Sequence, residues 1–362
     1  MINVTKTHLP PLEEYQALLA RIWQSGWLTN GGQLENELSG NLKQYLGVPR
    51  LELVSNGMLA LQVAIKALGL RGEVITTPFS YVATASAIAW EGCAPVFVDI
   101  EERTFCIDAD QIEAAITERT SAILATHVYG YPCAVEQIET IARKHGLKVI
   151  YDAAHCFGVK WNGQSLLNYG DAATLSFHAT KLFHTAEGGA VVIRDEDVFE
   201  RAHLMKKFGH VGEDNYLEVG TNAKLSELHA AMGLCVLPEV DGLIASRRRA
   251  VERYDDLLEG SGLLRPRMPE GLDYNYSYYP VFFDSHAAMM SVREALIGNG
   301  IMPRRYFYPS LNTLPFLQQA GPRACPISES LALRVLCLPL YAELEPRDVE
   351  RVAATIREAL RA

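Results

Sequence analysis

The sequence predicts an α/β protein built on a mainly parallel sheet that helices cover on both faces. Between residues 51 and 193, apolar segments of strand length alternate with segments whose apolar residues recur at helical spacing. Strand segments such as residues 95–100 and 122–127 are apolar almost throughout, which is typical of strands buried on both faces. The 362 residues are enough for a large core, and this length favours two domains or one large domain with an appendage.

The composition is that of a globular protein and excludes several classes of partner. Apolar residues make up 49% of the chain and charged residues 21%, which excludes a disordered chain. The net charge of -10 disfavours a nucleic-acid partner, because an acidic protein repels a polyphosphate backbone. Any phosphate-bearing ligand must therefore be held by local groups.

Cysteine usage and the N-terminus predict a cytoplasmic protein. The seven cysteines are odd in number and lack the close CxxC pairs of a zinc site, which fits reduced thiols. The first residues contain no apolar signal core, and we expect no later apolar run to approach the length of a membrane span. No membrane partner is predicted.

The N-terminal part predicts two helices, a strand and a third helix. Residues 12–23 and 34–46 have helical periodicity, and the Gly-rich turn at 27–32 between them is typical of a helix stop. After a short strand, Ser55 and Asn56 precede a helix that runs to Leu68. They either cap this helix or open a phosphate site, because a helix N-terminus offers unpaired N–H groups.

Aromatic residues follow the next strand, residues 73–78. Phe79 and Tyr81 come at its carboxyl end, and a flat cofactor ring is often covered by an aromatic face. Phe79 also fits a core position. Farther on, the sequence predicts helices at 110–116 and 135–145.

The two residues that point to a chemistry are Asp152 and Lys181. Asp152 ends the apolar strand 149–152, and open α/β sheets bind ligands at the carboxyl ends of their strands. Lys181 lies in a loop between two strands, followed by Leu182 and Phe183, where partial desolvation would lower the pKa of its amine. Pyridoxal phosphate requires both groups, a lysine for its Schiff base and an acid for its pyridinium nitrogen. The alternative for Lys181 is an ordinary surface lysine.

Three histidines near these residues need separate interpretations. His155 either is a buried histidine with satisfied hydrogen bonds or bonds the ring oxygen of the cofactor. His178 and His184 flank Lys181, but no carboxylate or thiol cluster completes a metal site. We therefore predict no metal.

The C-terminal part predicts a smaller domain. A long helix at 240–258 carries the basic run Arg247–Arg249, which we expect to be a solvated face. We expect this helix to link a large domain, residues 1–240, to a small domain, residues 241–362. The small domain should contain these elements: a strand at 274–283, a helix at 287–299, a turn at 304–309, a helix at 328–334, a strand at 335–338 and a helix at 346–360.

Five segments in register resemble the sugar aminotransferases of the DegT/DnrJ/EryC1/StrS family. The likeness is collinear from about Trp27 to the last helix. It implies the type I pyridoxal-phosphate aminotransferase fold, which is the fold of aspartate aminotransferase. This fold has a large domain with a mainly parallel seven-stranded sheet and a smaller C-terminal α/β domain. The resemblance also implies a homodimer. The segments are Thr77–Thr84, Asp152–His155, Ser176–Lys181, Glu187–Gly189 and Asn222–His229.

The resemblance assigns a role to each candidate residue. Lys181 would be the catalytic residue that binds pyridoxal phosphate, with Asp152 on the ring nitrogen. The other implied cofactor contacts are the backbone amides of Gly57 and Met58, the ring of Tyr81, the side chains of His155 and Ser176, and Asn222 acting on the cofactor of a neighbouring subunit. For Asn222 a simple helix cap is the alternative. The implied substrate contacts are Thr29, Arg304 and Tyr306.

Within the family, the histidine at position 178 and the segment 9–14 resemble the subgroup that aminates C4 of dTDP-4-keto-6-deoxyglucose. This implies L-glutamate as amino donor and a dTDP-sugar as acceptor. The alternatives are amination of a 3-keto sugar and a non-catalytic regulator on the same fold. The family's dehydratases have a histidine in place of the lysine, so Lys181 argues against that activity.

Overall fold

The computed structural model describes residues 1–361, and within them the chain forms eleven α-helices. Most of them follow the helical periodicity of the sequence, and Gly26, Gly47 and Gly146 end three of them in the left-handed conformation. The helices are α1 Leu12–Ser25, α2 Gln33–Leu46, α3 Gly57–Ala67, α4 Ala83–Trp90, α5 Val135–His145, α6 Glu196–Met205, α7 Glu227–Val236, α8 Val240–Leu258, α9 His286–Gly298, α10 Pro326–Arg334 and α11 Pro346–Arg361.

Sixteen strands occur in the same described range. They are β1 Ile2–Asn3, β2 Leu51–Val54, β3 Glu73–Thr76, β4 Ala94–Phe97, β5 Thr120–Thr126, β6 Lys148–Asp152, β7 Lys160–Trp161, β8 Gln164–Ser165, β9 Ala172–Ser176, β10 Gly189–Ile193, β11 His210–Val211, β12 Asn215–Tyr216, β13 Leu272–Asp273, β14 Tyr279–Phe282, β15 Ile301–Met302 and β16 Val335–Leu338.

A seven-stranded sheet with the order β2-β10-β9-β6-β5-β3-β4 forms the centre of the molecule. Only β10 runs antiparallel to its neighbours β2 and β9. The expected mainly parallel seven-stranded sheet and α/β fold are therefore confirmed. The carboxyl ends of β3, β5, β6 and β9 meet at one edge, which places the residues that follow them close together.

Helices cover both faces of this sheet. In β5, Ala122 and Leu124 belong to a cluster with helices α3 and α4, whereas Ile123 and Ala125 belong to a second and larger cluster. Alternate residues of a strand point to opposite faces, so both sets are buried. This explains why the strand segments are apolar without interruption.

A separate apolar cluster forms around the C-terminal elements. It joins α8, α9 and α11 to the antiparallel pair β14 and β16. Strand β1 also packs there, because Ile2 pairs in parallel with Ile301 of β15 and lies in the same cluster. The boundary at residues 240/241 stays a prediction, and this pairing adds that the first residues pack with the C-terminal elements.

Three local expectations were wrong. Residues 110–116 form two 3₁₀ turns, Ala109–Gln111 and Glu113–Ala115, because so short a segment gains too few helical bonds to offset nucleation. Of the basic run, Arg247 is buried, with 5% of its surface exposed. It lies one turn from Leu243 and from Val251 on the buried stripe of α8, so helical position decided its environment.

The third wrong expectation was that no apolar run approaches the length of a membrane span. Helices α7 and α8 and the turn between them form one helical run, Glu227–Leu258, with a mean hydropathy of 1.4 over its most apolar window. By length and composition this run is sufficient for a membrane span, contrary to expectation. Ala230, Val240 and Leu243 of the run lie in the main core, and core helices of globular proteins meet the same criteria.

Candidate active site

A cavity of about 620 Å³ opens at the carboxyl ends of the central strands, and both Asp152 and Lys181 line it. Asp152 is the last residue of β6. Lys181 lies in the loop between β9 and β10, and β9 pairs with β6. A carboxylate and an amine that are 29 residues apart in the chain thus reach the same space because their strands are neighbours.

Both oxygens of the Asp152 carboxyl group accept hydrogen bonds. The backbone N–H of Ala154 donates to Oδ1 at 3.1 Å, and the hydroxyl of Thr84 donates to Oδ2 at 2.6 Å. Burial raises the pKa of Asp152, while the bonds from Thr84 and Ala154 and the charge of Lys181 act to lower it. The group is a buried carboxyl with oriented donors, which suits the partner of a pyridinium nitrogen.

The amine of Lys181 is held near Asp152 in an environment that favours its neutral form. Burial lowers the pKa of Lys181, and the charge of Asp152 opposes this shift. Its Nζ lies 3.4 Å from the hydroxyl of Tyr278. The backbone N–H of Lys181 donates to the carbonyl of His178 at 2.8 Å, which fixes the loop. A neutral amine in a cavity is the form needed for nucleophilic attack on a carbonyl.

The N-terminus of α3 supplies donors to the same cavity. Asn56 caps the helix by accepting from the N–H of Leu59, and the first two N–H groups, those of Gly57 and Met58, belong to residues that line the cavity. Ser176 lies against Gly57, where a Cβ would come within 2.8 Å of the serine Cβ. Glycine therefore permits a close approach of helix and strand, and backbone amides and a hydroxyl are brought together as an anion site requires.

His155 and Tyr81 also line the cavity. The Nδ1 atom of His155 is buried and has no hydrogen-bond partner among the described residues, and burial lowers the pKa of its ring well below the ordinary value. Tyr81 is 60% exposed. Phe79 is instead fully buried against Phe105 and other rings of the core, so of the two aromatic candidates Tyr81 is the one that faces the cavity.

An adjacent cleft of about 880 Å³ contains the predicted substrate residues Arg304 and Tyr306. Tyr306 and Tyr81 line both spaces, which makes them neighbours. Arg293 and Arg305 also line the cleft, and the Arg305 guanidinium lies 3.4 Å from the centre of the Tyr308 ring. Within residues 1–361 no carboxylate lies within 4.0 Å of these three arginines. The cleft is therefore locally cationic in an acidic protein.

Two predicted residues lie outside both spaces in the single chain. Thr29 is exposed between α1 and α2, where the carbonyl of Leu28 accepts from the N–H of Glu227. Asn222 is exposed before α7, and its side-chain oxygen accepts from Lys224 at 2.5 Å. A role for Asn222 at a neighbouring subunit's cofactor is compatible with this position.

The histidines that flank Lys181 have local partners. His184 Nε2 hydrogen-bonds the carbonyl of His8 at 2.7 Å, and the ring of His178 contacts the Thr180 hydroxyl at 2.8 Å. His178 also lies 3.7 Å from Glu187, which lines the cavity. No group of three or more metal-ligating side chains occurs in the part of the chain that the structure describes.

Two residues of the site, Thr84 and Tyr278, were not predicted from the sequence. Thr84 lies inside one of the family-like segments, but no pattern connects it to Asp152. Tyr278 lies in a segment with the appearance of an ordinary aromatic strand. That segment is fixed to the site because Asn275 donates to the carbonyls of His155 and Phe157 at 2.9 and 3.0 Å.

Comparisons with known proteins identify the family of this chain. The sequence model of the DegT/DnrJ/EryC1/StrS aminotransferase family matches residues 12–357. The dTDP-4-amino-4,6-dideoxy-D-glucose transaminase of Shigella dysenteriae is 42% identical, with 99% of this chain and 98% of that protein covered. The transaminase of the same name from Escherichia coli is 40% identical, covering 97% of this chain and 96% of that protein. The crystal structure of DesI in the presence of its TDP-sugar product superposes with a TM-score of 0.94 at 35% identity, covering 99% of this chain and 93% of that one. The chain therefore belongs to the DegT/DnrJ/EryC1/StrS aminotransferase family.

Proposed function

We propose that this aminotransferase moves the amino group of L-glutamate to the C4 ketone of dTDP-4-keto-6-deoxy-D-glucose, giving dTDP-4-amino-4,6-dideoxy-D-glucose. The observation that carries the proposal is the convergence of Lys181 and Asp152 in one cavity at the strand ends. The similarity to transaminases with that product in their name supports the choice of sugar.

The residues of the cavity fit pyridoxal phosphate, the cofactor of the family. Asp152 suits the ring nitrogen, and the amides of Gly57 and Met58 with Ser176 suit the phosphate. The unpartnered Nδ1 of His155 is available to a polar atom of a ligand. When bound, the cofactor supplies an electron sink that allows a C–H bond beside the transferred nitrogen to break.

Each side chain then has a defined task. Lys181 would bind the cofactor and, when its amine is free, would accept and return a proton at Nζ, a role that its lowered pKa favours. Asp152 holds the positive charge of the ring nitrogen by remaining ionised. Tyr81 lines the cavity, where its ring would cover one face of the cofactor ring.

The cationic cleft is the proposed site of the sugar diphosphate. The chain carries a net charge of -10, so its overall field repels a diphosphate and local cations must bind it. Arg304, with Arg293 and Arg305 beside it, supplies guanidinium groups that match phosphate oxygens. Tyr306 lies between this cleft and the cavity, where the sugar would meet the reacting groups. Thr29 remains a proposed substrate contact.

We further propose a homodimer in which Asn222 of one subunit reaches the cofactor phosphate of the other. Exposed apolar side chains near this region support an interface, among them Trp27, Leu28 and Leu228. The exposed Tyr216 and Leu217 lie in the neighbouring β-hairpin. A cytoplasmic location is proposed because all seven cysteines are free thiols.

The test is a product assay. The full chain with pyridoxal phosphate and L-glutamate is incubated separately with the 4-keto and the 3-keto forms of dTDP-6-deoxyglucose, and the position of the new amine is read by NMR. We expect amination at C4, abolished in Lys181→Ala and retained in Lys160→Ala, an exposed control. Amination at C3 would support the 3-keto alternative. No conversion together with no violet absorption band of lysine-bound cofactor would support a non-catalytic regulator.

A further inference from the structure

Three buried hydroxyl groups form a continuous chain that ends on Asp152. The hydroxyl of Thr126 donates to Ser80 at 3.0 Å, Ser80 and Thr84 are 2.8 Å apart, and Thr84 lies 2.6 Å from Asp152 Oδ2. Each of the three hydroxyl-bearing residues is at most 2% exposed. The chain crosses the ends of three strands, because Ser80 follows β3, Thr126 ends β5 and Asp152 ends β6.

The direction of these hydrogen bonds depends on whether Asp152 carries a proton. An ionised carboxylate can only accept hydrogen bonds, so Thr84 must donate a hydrogen bond to Asp152. Ser80 must then donate to Thr84, and Thr126 donates to Ser80. In this arrangement all three hydroxyl protons are used. The N–H of Ala154 donates to the other carboxyl oxygen at 3.1 Å, so both oxygens are satisfied as acceptors.

The opposite direction leaves one donor unsatisfied. If Asp152 were protonated and donated to Thr84, then Thr84 would donate to Ser80 and Ser80 to Thr126. Ser80 is the only hydrogen-bond partner of Thr126 Oγ1 among residues 1–361, so the last proton would have no acceptor within this part of the protein. A buried, unpaired hydroxyl proton is unfavourable. The chain therefore disfavours a proton on Oδ2, and the N–H of Ala154, which donates to Oδ1, disfavours one on the other oxygen.

We propose that the Thr126–Ser80–Thr84 hydroxyl chain is a positioning device that keeps Asp152 ionised and aims its carboxylate at the ring nitrogen of the cofactor. This inference rests on the proposed function, since it assumes a pyridine ring in the cavity. The hydroxyls act through Asp152, and Thr84 is the member in direct contact with it.

The need for such a device follows from the burial of Asp152. Burial alone favours the protonated carboxyl, which cannot stabilise a positive charge on the ring nitrogen. The ionisable groups whose charges act at Asp152 are Lys181, Cys156 and Tyr278. Of these, only Lys181 can be cationic, and its Nζ would be bound to the cofactor for part of the reaction. The hydroxyls of Thr84, Ser80 and Thr126 would take no part in that bond, so they could hold the carboxylate throughout.

The test measures cofactor binding by the full chain rather than turnover. The dissociation constant of pyridoxal phosphate is measured by tryptophan fluorescence between about pH 5 and about pH 8, the range in which proteins tend to be most stable, for wild type, Thr84→Val and Thr84→Ser. Valine keeps the shape and removes the hydroxyl, whereas serine keeps the hydroxyl. We expect Thr84→Val to bind about tenfold more weakly at neutral pH and Thr84→Ser to bind as wild type does. Because the Thr84 bond lowers the pKa of Asp152, Thr84→Val should also lose affinity on the acid side at a higher pH than wild type does.

A cofactor analogue separates this role from a merely structural one. In the 1-deaza analogue of pyridoxal phosphate a carbon replaces the ring nitrogen, so Asp152 has no charge to hold. We expect wild type and Thr84→Val to bind this analogue equally. An equal loss for both cofactors, or a Thr84→Val variant within twofold of wild type for pyridoxal phosphate, would overturn the proposal.

A second pair of variants keeps the test decisive if Thr84→Val does not fold. Ser80→Ala and Thr126→Val interrupt the chain one and two bonds farther from Asp152. We expect their losses of affinity to decrease in that order, and no loss in Ser80→Ala would overturn the proposal. Failure of the wild-type chain to bind pyridoxal phosphate would instead refute the proposed function itself.

Discussion

Tyr278→Phe is the sharpest test of how the C-terminal elements contribute to catalysis. The substitution removes one oxygen and retains the aromatic ring, which packs edge-on against His155 with ring centres 4.9 Å apart. The lost oxygen lies 3.4 Å from Lys181 Nζ, the long end of hydrogen-bond distances. A neutral hydrogen bond of this kind contributes about 1 kcal/mol, which corresponds to a roughly fivefold decrease in kcat.

For each variant, the assay measures kcat and KM for the keto-sugar and the unfolding midpoint, and compares each of them with the wild-type value. We expect kcat to fall about fivefold, with KM for the sugar and the unfolding midpoint unchanged, because the hydroxyl acts on Lys181 and not on the sugar site. Tyr276→Phe is the matched control, since its ring packs against Tyr274 with centres 5.1 Å apart. A Tyr278→Phe enzyme as fast as wild type, or one slowed no more than Tyr276→Phe, would refute the assigned contact.

The remaining predictions concern stability, subunit sharing and charge coupling. Lys206→Met should lower the free energy of unfolding by about 3 kcal/mol in urea titrations, because the buried Lys206 amine bonds both Glu35 and Glu52. Without it, Glu35 keeps only the N–H of Gly31 and Glu52 keeps only the ring of His203 as hydrogen-bond partners. Adding Glu35→Gln and Glu52→Gln should recover much of the loss, and a stable single variant would contradict this account. The pKa of Glu52 is lowered in the fold, so its contribution is present above the ordinary glutamate pKa and is lost as the pH falls through the folded value. Mixed dimers of Asn222→Ala and Lys181→Ala subunits should regain activity, and a failure of every pairing would argue against a shared site. Asp152→Asn removes the carboxylate that raises the pKa of Lys181. In the cofactor-free protein the lysine should therefore become neutral, and react with an amine-directed reagent, at a lower pH than in wild type. An unchanged pH profile of this reaction would show that the two groups are not coupled.

The sequence predicted the sheet and its reactive pair because both depend on local patterns. An apolar strand that ends in Asp152 and a loop lysine at position 181 are visible in short segments, and a parallel sheet necessarily brings such ends together. Thr84 and Tyr278 contact these residues only after folding, from positions 68 and 97 residues away in the chain. Arg247 shows the same limit, since its burial depends on which side of α8 faces the core and not on its charged neighbours.

Arg247 also explains how the C-terminal elements hold Tyr278 in the site. Its guanidinium donates to the carbonyls of Ser277 and Tyr276 at 3.2 and 3.5 Å, and burial lowers its pKa to about 10. At neutral pH the group is still charged, so it remains a donor to the backbone just before Tyr278. Asn275 binds the same segment to the carbonyl of His155, three residues after Asp152. The backbone next to Tyr278 is thus hydrogen-bonded both to α8 and to the loop after β6. These hydrogen bonds hold Tyr278 where its hydroxyl contacts Lys181, so the position of that hydroxyl depends on Arg247 and Asn275 as well as on Tyr278 itself.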